Sequence, residues 1–429
     1  MTQSVNRVRD LVLELWTRTR IDWGFASDRI ADVFRRERAL GSRERREVAE
    51  TLYGMIRQAR RIDFALEPLR LPAERRELAR YLAYRVLEGE LDPARAAAEL
   101  PGDWAAVAAV DQRVARERDP VRRLGLGRSL PDWLARRFLD EYGDEADGLL
   151  AALNQRAPLT LRANTLRTSR AALADRLASE GLASHPTRYA SQGLTLDMRT
   201  NVFGLAAFKE GWLEAQDEAS QLCAELVAPP PRGLVVDACA GAGGKTLALG
   251  AAMESKGRLI ALDTHERKLD ELRRRARRAG LSNARAVAVD DDRWPDEVEA
   301  LRGRADRVLV DAPCSGLGAL RRNPEARWRL SEDDLERLPR QQHAIAARAQ
   351  ALVAPGGRLI YATCTILRAE NQAVVERLLI PGWELVRAAE IWGTARASAV
   401  CDLSGTFLTL RPDRHDTDGF FAAVLRRRA

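Results

Sequence analysis

Beyond the rigid break Pro229-Pro230-Pro231, five short apolar runs follow one another, most with helical stretches between them: GLVVDACAGAGGKT, GRLIALDTHERKLDEL, ARAVAVDDD, RVLVDAPCSG and GRLIYATCT. Runs this short and this continuously apolar suit strands buried on both faces, and the intervening helices supply the cover. The pattern therefore predicts a parallel α/β sheet. Ligands of such sheets bind outside the carboxyl ends of the strands, so the residues that end each run are the candidates for chemistry. Here they are acidic, glycine or cysteine.

The rest of the chain reads differently. Residues 1–125 carry apolar side chains at three- and four-residue spacing, as in RVRDLVLELW, DRIADVFRRER and RERREVAETLYGMIRQARRIDFAL, and are expected to be all-α. Residues 126–212 open with the helical SLPDWLARRFLDEYG. They then alternate LTLRANTL, RAALADRLASEGL and GLTLDM, a small α/β connecting domain. Residues 213–429 form the large α/β domain. A length of 429 residues suits this division, because single cores rarely exceed about 250–300 residues.

Several classes are set aside. No apolar run approaches the roughly 20 residues of a membrane span. The N-terminus lacks the continuous apolar core of a signal peptide, so a cytoplasmic protein is expected. The 5 cysteines include no CxxC pair and the 4 histidines are dispersed, which offers no metal-ligand spacing and no disulfide framework. The net charge of +7 comes almost wholly from arginine. Guanidinium forks match phosphate geometry and stack on bases, which suits a nucleic-acid partner. A GC-rich genome or a solvated surface gives the same excess.

DACAGAGGKT lies between a strand and a helix, and three readings compete for it. A phosphate-cradling loop requires glycine where Cys239 stands. A dinucleotide fingerprint beginning at Gly241 fails at Thr246. An S-adenosylmethionine loop takes an acidic end to the first strand (Asp237), then glycines, then an acidic end to the next strand (Asp263) for the ribose hydroxyls. The third strand ends in Asp290-Asp291-Asp292, where an adenine edge would lie. A glycine-rich packing turn is the plain alternative, and acidic residues at three successive strand ends weigh against it.

The fourth and fifth runs end in cysteines, Cys314 and Cys364. On adjacent strands, about 4.8 Å apart, both would reach the ligand edge. A lone cysteine is more often packing; two at equivalent strand ends point to chemistry. A thiol that adds to carbon 6 of a pyrimidine makes carbon 5 enamine-like and so able to accept a methyl group.

At SLPDWLARRF, LTLRANTLRTSR, GWLEAQDEASQL, DACAGAGGKT, DAPCSGLGALRRNPEARW, YATCTILRAENQ and HDTDGFFAAVLRR the chain resembles the RsmB/Nop-type RNA cytosine-carbon-5 methyltransferases. The resemblance implies a Rossmann-like class I methyltransferase domain over residues 213–429 and a NusB-like RNA-binding domain over residues 1–125. It also implies S-adenosylmethionine as cofactor, small-subunit ribosomal RNA as partner, and a monomer. By position it makes Cys364 the nucleophile, Cys314 the helper in product release, and Asp311 the group that binds the target cytosine at the border of the cofactor. Cys239, Ala240, Gly241, Ala242, Gly243, Gly244 and Lys245 would line the cofactor, with Asp263 on the ribose and Asp290 or Asp291 at the adenine. Arg321 and Arg322 are read as RNA-backbone contacts, with an exposed charge pair as the alternative. Two positions depart from the family pattern. Ala242 replaces a proline, which predicts a looser loop with one more donor, and Thr365 stands where serine is usual. A transfer RNA substrate, a catalytically silent ribosome-assembly factor and a P-loop ATPase are the competing functions.

Overall fold

The computed structural model describes residues 2–290 and 293–429, with side chains from Arg7 onward. Contacts divide the chain into two units, Met1–Gln155 with Ala319–Glu332, and Arg156–Gly318 with Asp333–Ala429.

The first unit is helical. Helix Thr2–Asp22 buries Leu11, Val12, Leu15 and Trp16, and helix Ser42–Arg57 buries Val48, Leu52, Met55 and Ile56, both at the spacing read from the sequence. The helical run does not stop near residue 125. Helices Pro120–Arg128, Asp132–Tyr142 and Ala146–Asn154 pack on one another, and the first of them packs on helix Ala59–Leu66. The Ser129 hydroxyl accepts from the Arg60 backbone N–H at 3.0 Å.

Ala319–Glu332 folds with these helices. Trp328 tilts against Trp23 with ring centroids 5.5 Å apart and donates its indole N–H to the Ile56 carbonyl at 2.9 Å. Arg327 is fully buried and donates to the Asn154 side-chain oxygen at 2.6 Å and to the Pro324 and Ser129 carbonyls. Burial, then the neighbouring Arg57 charge, lowers the pKa of its guanidinium.

The second unit contains two sheets. The smaller has the order β2-β3-β1-β4 and is antiparallel throughout, with β1 Leu159–Ala163, β2 Ser184–Pro186, β3 Gly193–Leu196 and β4 Leu213–Ala215. Helix Arg170–Ser179 buries Leu173 and Leu177 in the core that Leu161 and Leu194 share.

The larger sheet contains β5 Leu234–Asp237, β6 Arg258–Asp263, β7 Ala284–Ala288, β8 Ala305–Asp311, β9 Val353–Thr363, β10 Trp383–Val386, β11 Leu408–Leu410 and β12 Phe420–Arg427. Its order is β10-β12-β9-β8-β5-β6-β7, with β11 paired to β12. Strands β5 to β9 are parallel, as their sequences predicted, and β12 runs antiparallel between β9 and β10. The chain moves from β5 out to β7 and then returns to β8 on the other side of β5. The strand order therefore reverses between β5 and β8, where an open sheet forms its ligand crevice. Among the described residues no helix is long and apolar enough to cross a membrane.

Candidate active site

The loop after β5 takes its shape from two glycines. The Gly243 N–H bonds the Ala240 carbonyl at 2.9 Å, closing a tight turn, and the Ala240 N–H bonds the Leu262 carbonyl at 2.8 Å. Gly241 has φ +53°, and nothing lies within 4 Å of where a Cβ would stand, so its backbone is open on that side. Gly243 has φ +87°, and a Cβ there would meet Leu272 Cγ at 2.7 Å, so both conformation and space require glycine. Helix Gly244–Ala252 follows.

Asp237 is buried beneath this turn and accepts from the Thr246 hydroxyl at 2.7 Å; burial pushes its carboxyl up to about 6. The turn is also held from outside. Arg275 donates to the Ala242 carbonyl at 2.8 Å and pairs with the buried Glu214 at 2.9 Å, while Arg162 donates to the Gly244 carbonyl at 3.3 Å. The looser loop expected of alanine at position 242 is thus anchored through that residue's own carbonyl.

Asp263 ends β6 with its side chain 10% exposed, accepting from the Gly241 N–H and the His265 N–H at 2.8 Å each. It lines a cleft of about 580 Å³ together with Cys239, Gly241, Asp290 and Asp311. Sequence reasoning missed part of the lining: Trp294, Ile345 and Arg348. The Arg348 guanidinium lies 4.2 Å from the Trp294 ring centroid and donates to the Asp290 carbonyl at 3.1 Å. The Trp-Pro that follows the acidic run was the available signal for Trp294. Ala240, Ala242, Gly243, Gly244 and Lys245 shape the loop without lining the cleft, and Asp291 lies outside the described residues.

At the other half of the edge, Lys245 donates to the Asp311 carboxylate at 2.6 Å, with its Nζ 4.8 Å from the Phe420 ring centroid. Burial opposes its charge, but the Asp311 carboxylate prevails and raises the pKa of the ammonium.

Pairing of Asp311 with Ala362 brings the ends of β8 and β9 level, and the Cys314 and Cys364 sulfurs lie 3.3 Å apart. The Cys364 carbonyl accepts from the Gly318 N–H at 3.0 Å, and the Gly318 carbonyl accepts from the Gly419 N–H at 2.8 Å. A Cβ on Gly318 would stand 2.1 Å from the Gly419 carbonyl oxygen, so only glycine admits this approach. The hydrogen bond to Cys364 and then burial raise the pKa of the Cys314 thiol. Cys223 and Cys401 are pushed up to about 12, chiefly by burial.

Arg321 and Arg322 belong to the segment Ala319–Glu332, which folds with the helices. Arg321 is 4% exposed and its carbonyl accepts from Arg57 at 2.9 Å. The alternative of an exposed charge pair does not hold for Arg321, because its neighbours Glu325, Arg327 and Trp328 anchor the segment in the helical core. Arg322 is half-buried.

Comparison with known proteins agrees with this architecture. Residues 224–426 match the family model described as 16S rRNA methyltransferase RsmB/F, and residues 130–203 match the ferredoxin-like domain of RsmF/B-like methyltransferases. A probable ribosomal RNA small subunit methyltransferase B of Synechocystis sp. is 32% identical over 90% of this chain and 91% of its own length. That of Bacillus subtilis is 29% identical over 98% and 99%. One solved structure, 25% identical, covers 97% of both chains with a TM-score of 0.79. A methyltransferase homolog protein from Pyrococcus horikoshii, 26% identical, covers 72% of this chain and 98% of its own with a TM-score of 0.60. The reversed strand order, the glycine turn and the paired thiols lie within the matched span, and the chain belongs to the RsmB/F family of 16S rRNA methyltransferases.

Proposed function

We propose that this protein methylates carbon 5 of a cytosine in small-subunit ribosomal RNA through a covalent adduct on Cys364. The observation that carries this reading is the 3.3 Å approach of two thiols at the ends of two paired parallel strands. The cleft suits S-adenosylmethionine: Asp263 offers a carboxylate for a ribose, Gly241 leaves its backbone unobstructed, and Trp294 and Ile345 give an apolar wall for an adenine. When bound, S-adenosylmethionine supplies an electrophilic methyl group.

Cys364, as thiolate, forms a bond to carbon 6 of the cytosine, and the electrons of the 5,6 double bond are displaced toward carbon 5. Asp311, oriented by Lys245, holds the protonated form of the ring. After carbon 5 is methylated, its proton passes to solvent water as the sulfur–carbon bond breaks, which restores both the ring and the Cys364 thiolate. Cys314, with its sulfur 3.3 Å from that of Cys364, assists this release. The helical N-terminal region is read as a NusB-like RNA-binding domain that docks the substrate.

The test is to incubate purified protein with small-subunit ribosomal RNA, assembled small subunits and transfer RNA. Each receives methyl-labelled S-adenosylmethionine, and the nucleosides are then resolved. Label in 5-methylcytidine from small-subunit RNA is expected. Label in a different nucleoside would refute the carbon-5 chemistry, and label confined to transfer RNA would refute the substrate.

A further inference from the structure

Glu370 is fully buried in the short turn Arg368–Glu370 after β9, and four donors converge on its carboxylate. One oxygen accepts from the Ser315 backbone N–H at 2.9 Å and from the Gln342 amide at 2.8 Å. The other accepts from the Ser315 hydroxyl at 2.5 Å and from the Thr365 hydroxyl at 3.0 Å. Ser315 follows Cys314 and Thr365 follows Cys364, so one carboxylate grips the residue after each thiol. Gln342 closes the bracket by donating to the Pro313 carbonyl at 3.0 Å, and the Tyr361 hydroxyl donates to the Glu370 carbonyl at 2.6 Å.

An ionised carboxylate is acceptor-only, with about four lone-pair sites. It matches this set of donors, whereas an amide would turn an N–H toward one of them. A buried carboxylate costs desolvation unless it is hydrogen-bonded, and here three of the four bonds that offset the cost come from the two thiol loops. We infer that Glu370 is a positioning residue for the thiol pair: by accepting from both Ser315 and Thr365, whose hydroxyls also meet at 2.9 Å, it fixes the separation of the two sulfurs. This inference rests on the proposed thiol chemistry.

The test compares Glu370→Gln with the parent and with Cys364→Ser, each checked for a cooperative thermal melt. Misplacing a reacting group by about 1 Å costs about 100-fold in rate. Glu370→Gln is therefore expected to lower kcat by about that factor while the KM for S-adenosylmethionine stays within about twofold. Diamide-driven cross-linking of Cys314 to Cys364, which requires the sulfurs to meet, should also be slower in the variant. A parental kcat, or a loss confined to the cofactor KM, would overturn the inference.

Should Glu370→Gln fail to fold, Ser315→Ala decides. It removes one hydroxyl donor and keeps the backbone one, and about a tenfold lower kcat is expected; an unchanged kcat would overturn the inference. Active Cys364→Ser would remove the thiol reading itself. Inactive Cys364→Ser beside a fully active Glu370→Gln would remove only the role of Glu370.

Discussion

Along the carboxyl edge of the large sheet, the half formed by β5, β6 and β7 carries its ligand groups on short loops, whereas the half formed by β8 and β9 joins groups far apart in the chain. Gly241, Gly243 and Asp263 are organised by bonds within and around one turn. Cys314 and Cys364 are separated by 50 positions and meet only because Asp311 pairs with Ala362. On the proposed function, the first half is a shape for the cofactor, and a substitution there should cost affinity. The second is a geometry for the reaction, and a substitution there should cost turnover.

That contrast can be broken at its strongest point first. Replacing the proposed nucleophile, Cys364→Ser, is expected to lower kcat by about 10,000-fold or more while cofactor affinity is kept. Turnover assays beside calorimetry with S-adenosylmethionine check this, and a loss of affinity instead would erase the distinction between the halves. Cys314→Ser is expected to lower turnover by about 100-fold and to accumulate a protein–RNA adduct that survives denaturing gels. The adduct in Cys364→Ser and not in Cys314→Ser would reverse the two roles.

On the cofactor side, Asp263→Ala removes a charge-assisted acceptor worth about 1.5–3 kcal/mol, or roughly 10- to 100-fold in affinity. Calorimetry should show weaker S-adenosylmethionine binding and unchanged RNA binding.

The smallest effect concerns stability. Asp237 has its carboxyl raised from 3.8 to about 6, chiefly by burial. The native state therefore holds this proton longer than the unfolded chain does. The group's contribution to stability is greatest below about 3.8 and is lost as pH rises toward about 6. Asp237→Asn should reduce that downward slope, as read by urea melts at pH 4.5 and 6.5; an unchanged slope would place the cause elsewhere.

The two halves also differed in how plainly they could be read beforehand. Asp237, the glycines and Asp263 announce themselves because a tight turn and a strand end leave local marks. The five parallel strands were equally plain from their continuous apolar runs. The thiol pair was inferred only by assuming that β8 and β9 are neighbours, which the structure bears out.

Long-range burial was what escaped. Arg321, read as an RNA contact or an exposed charge, is buried, as is Arg327, with Trp328 fixed to the Ile56 carbonyl. Helix Asp132–Tyr142, read as the opening of the connecting domain, and helix Ala146–Asn154 pack with the helical unit, while the ferredoxin-like family model spans residues 130–203. Arg348 and Trp294 complete the cleft from two separate parts of the chain; Trp294 had a local mark in the Trp-Pro after the acidic run, and Arg348 had none.

The most direct test of the central claim uses RNA carrying 5-fluorocytidine. Fluorine at carbon 5 cannot leave as a proton does, so the bond between sulfur and carbon 6 persists once formed. With S-adenosylmethionine present, mass spectrometry of the digested complex should find the nucleotide on the peptide bearing Cys364. Attachment at Cys314, or no adduct from a preparation that methylates ordinary RNA, would contradict the account.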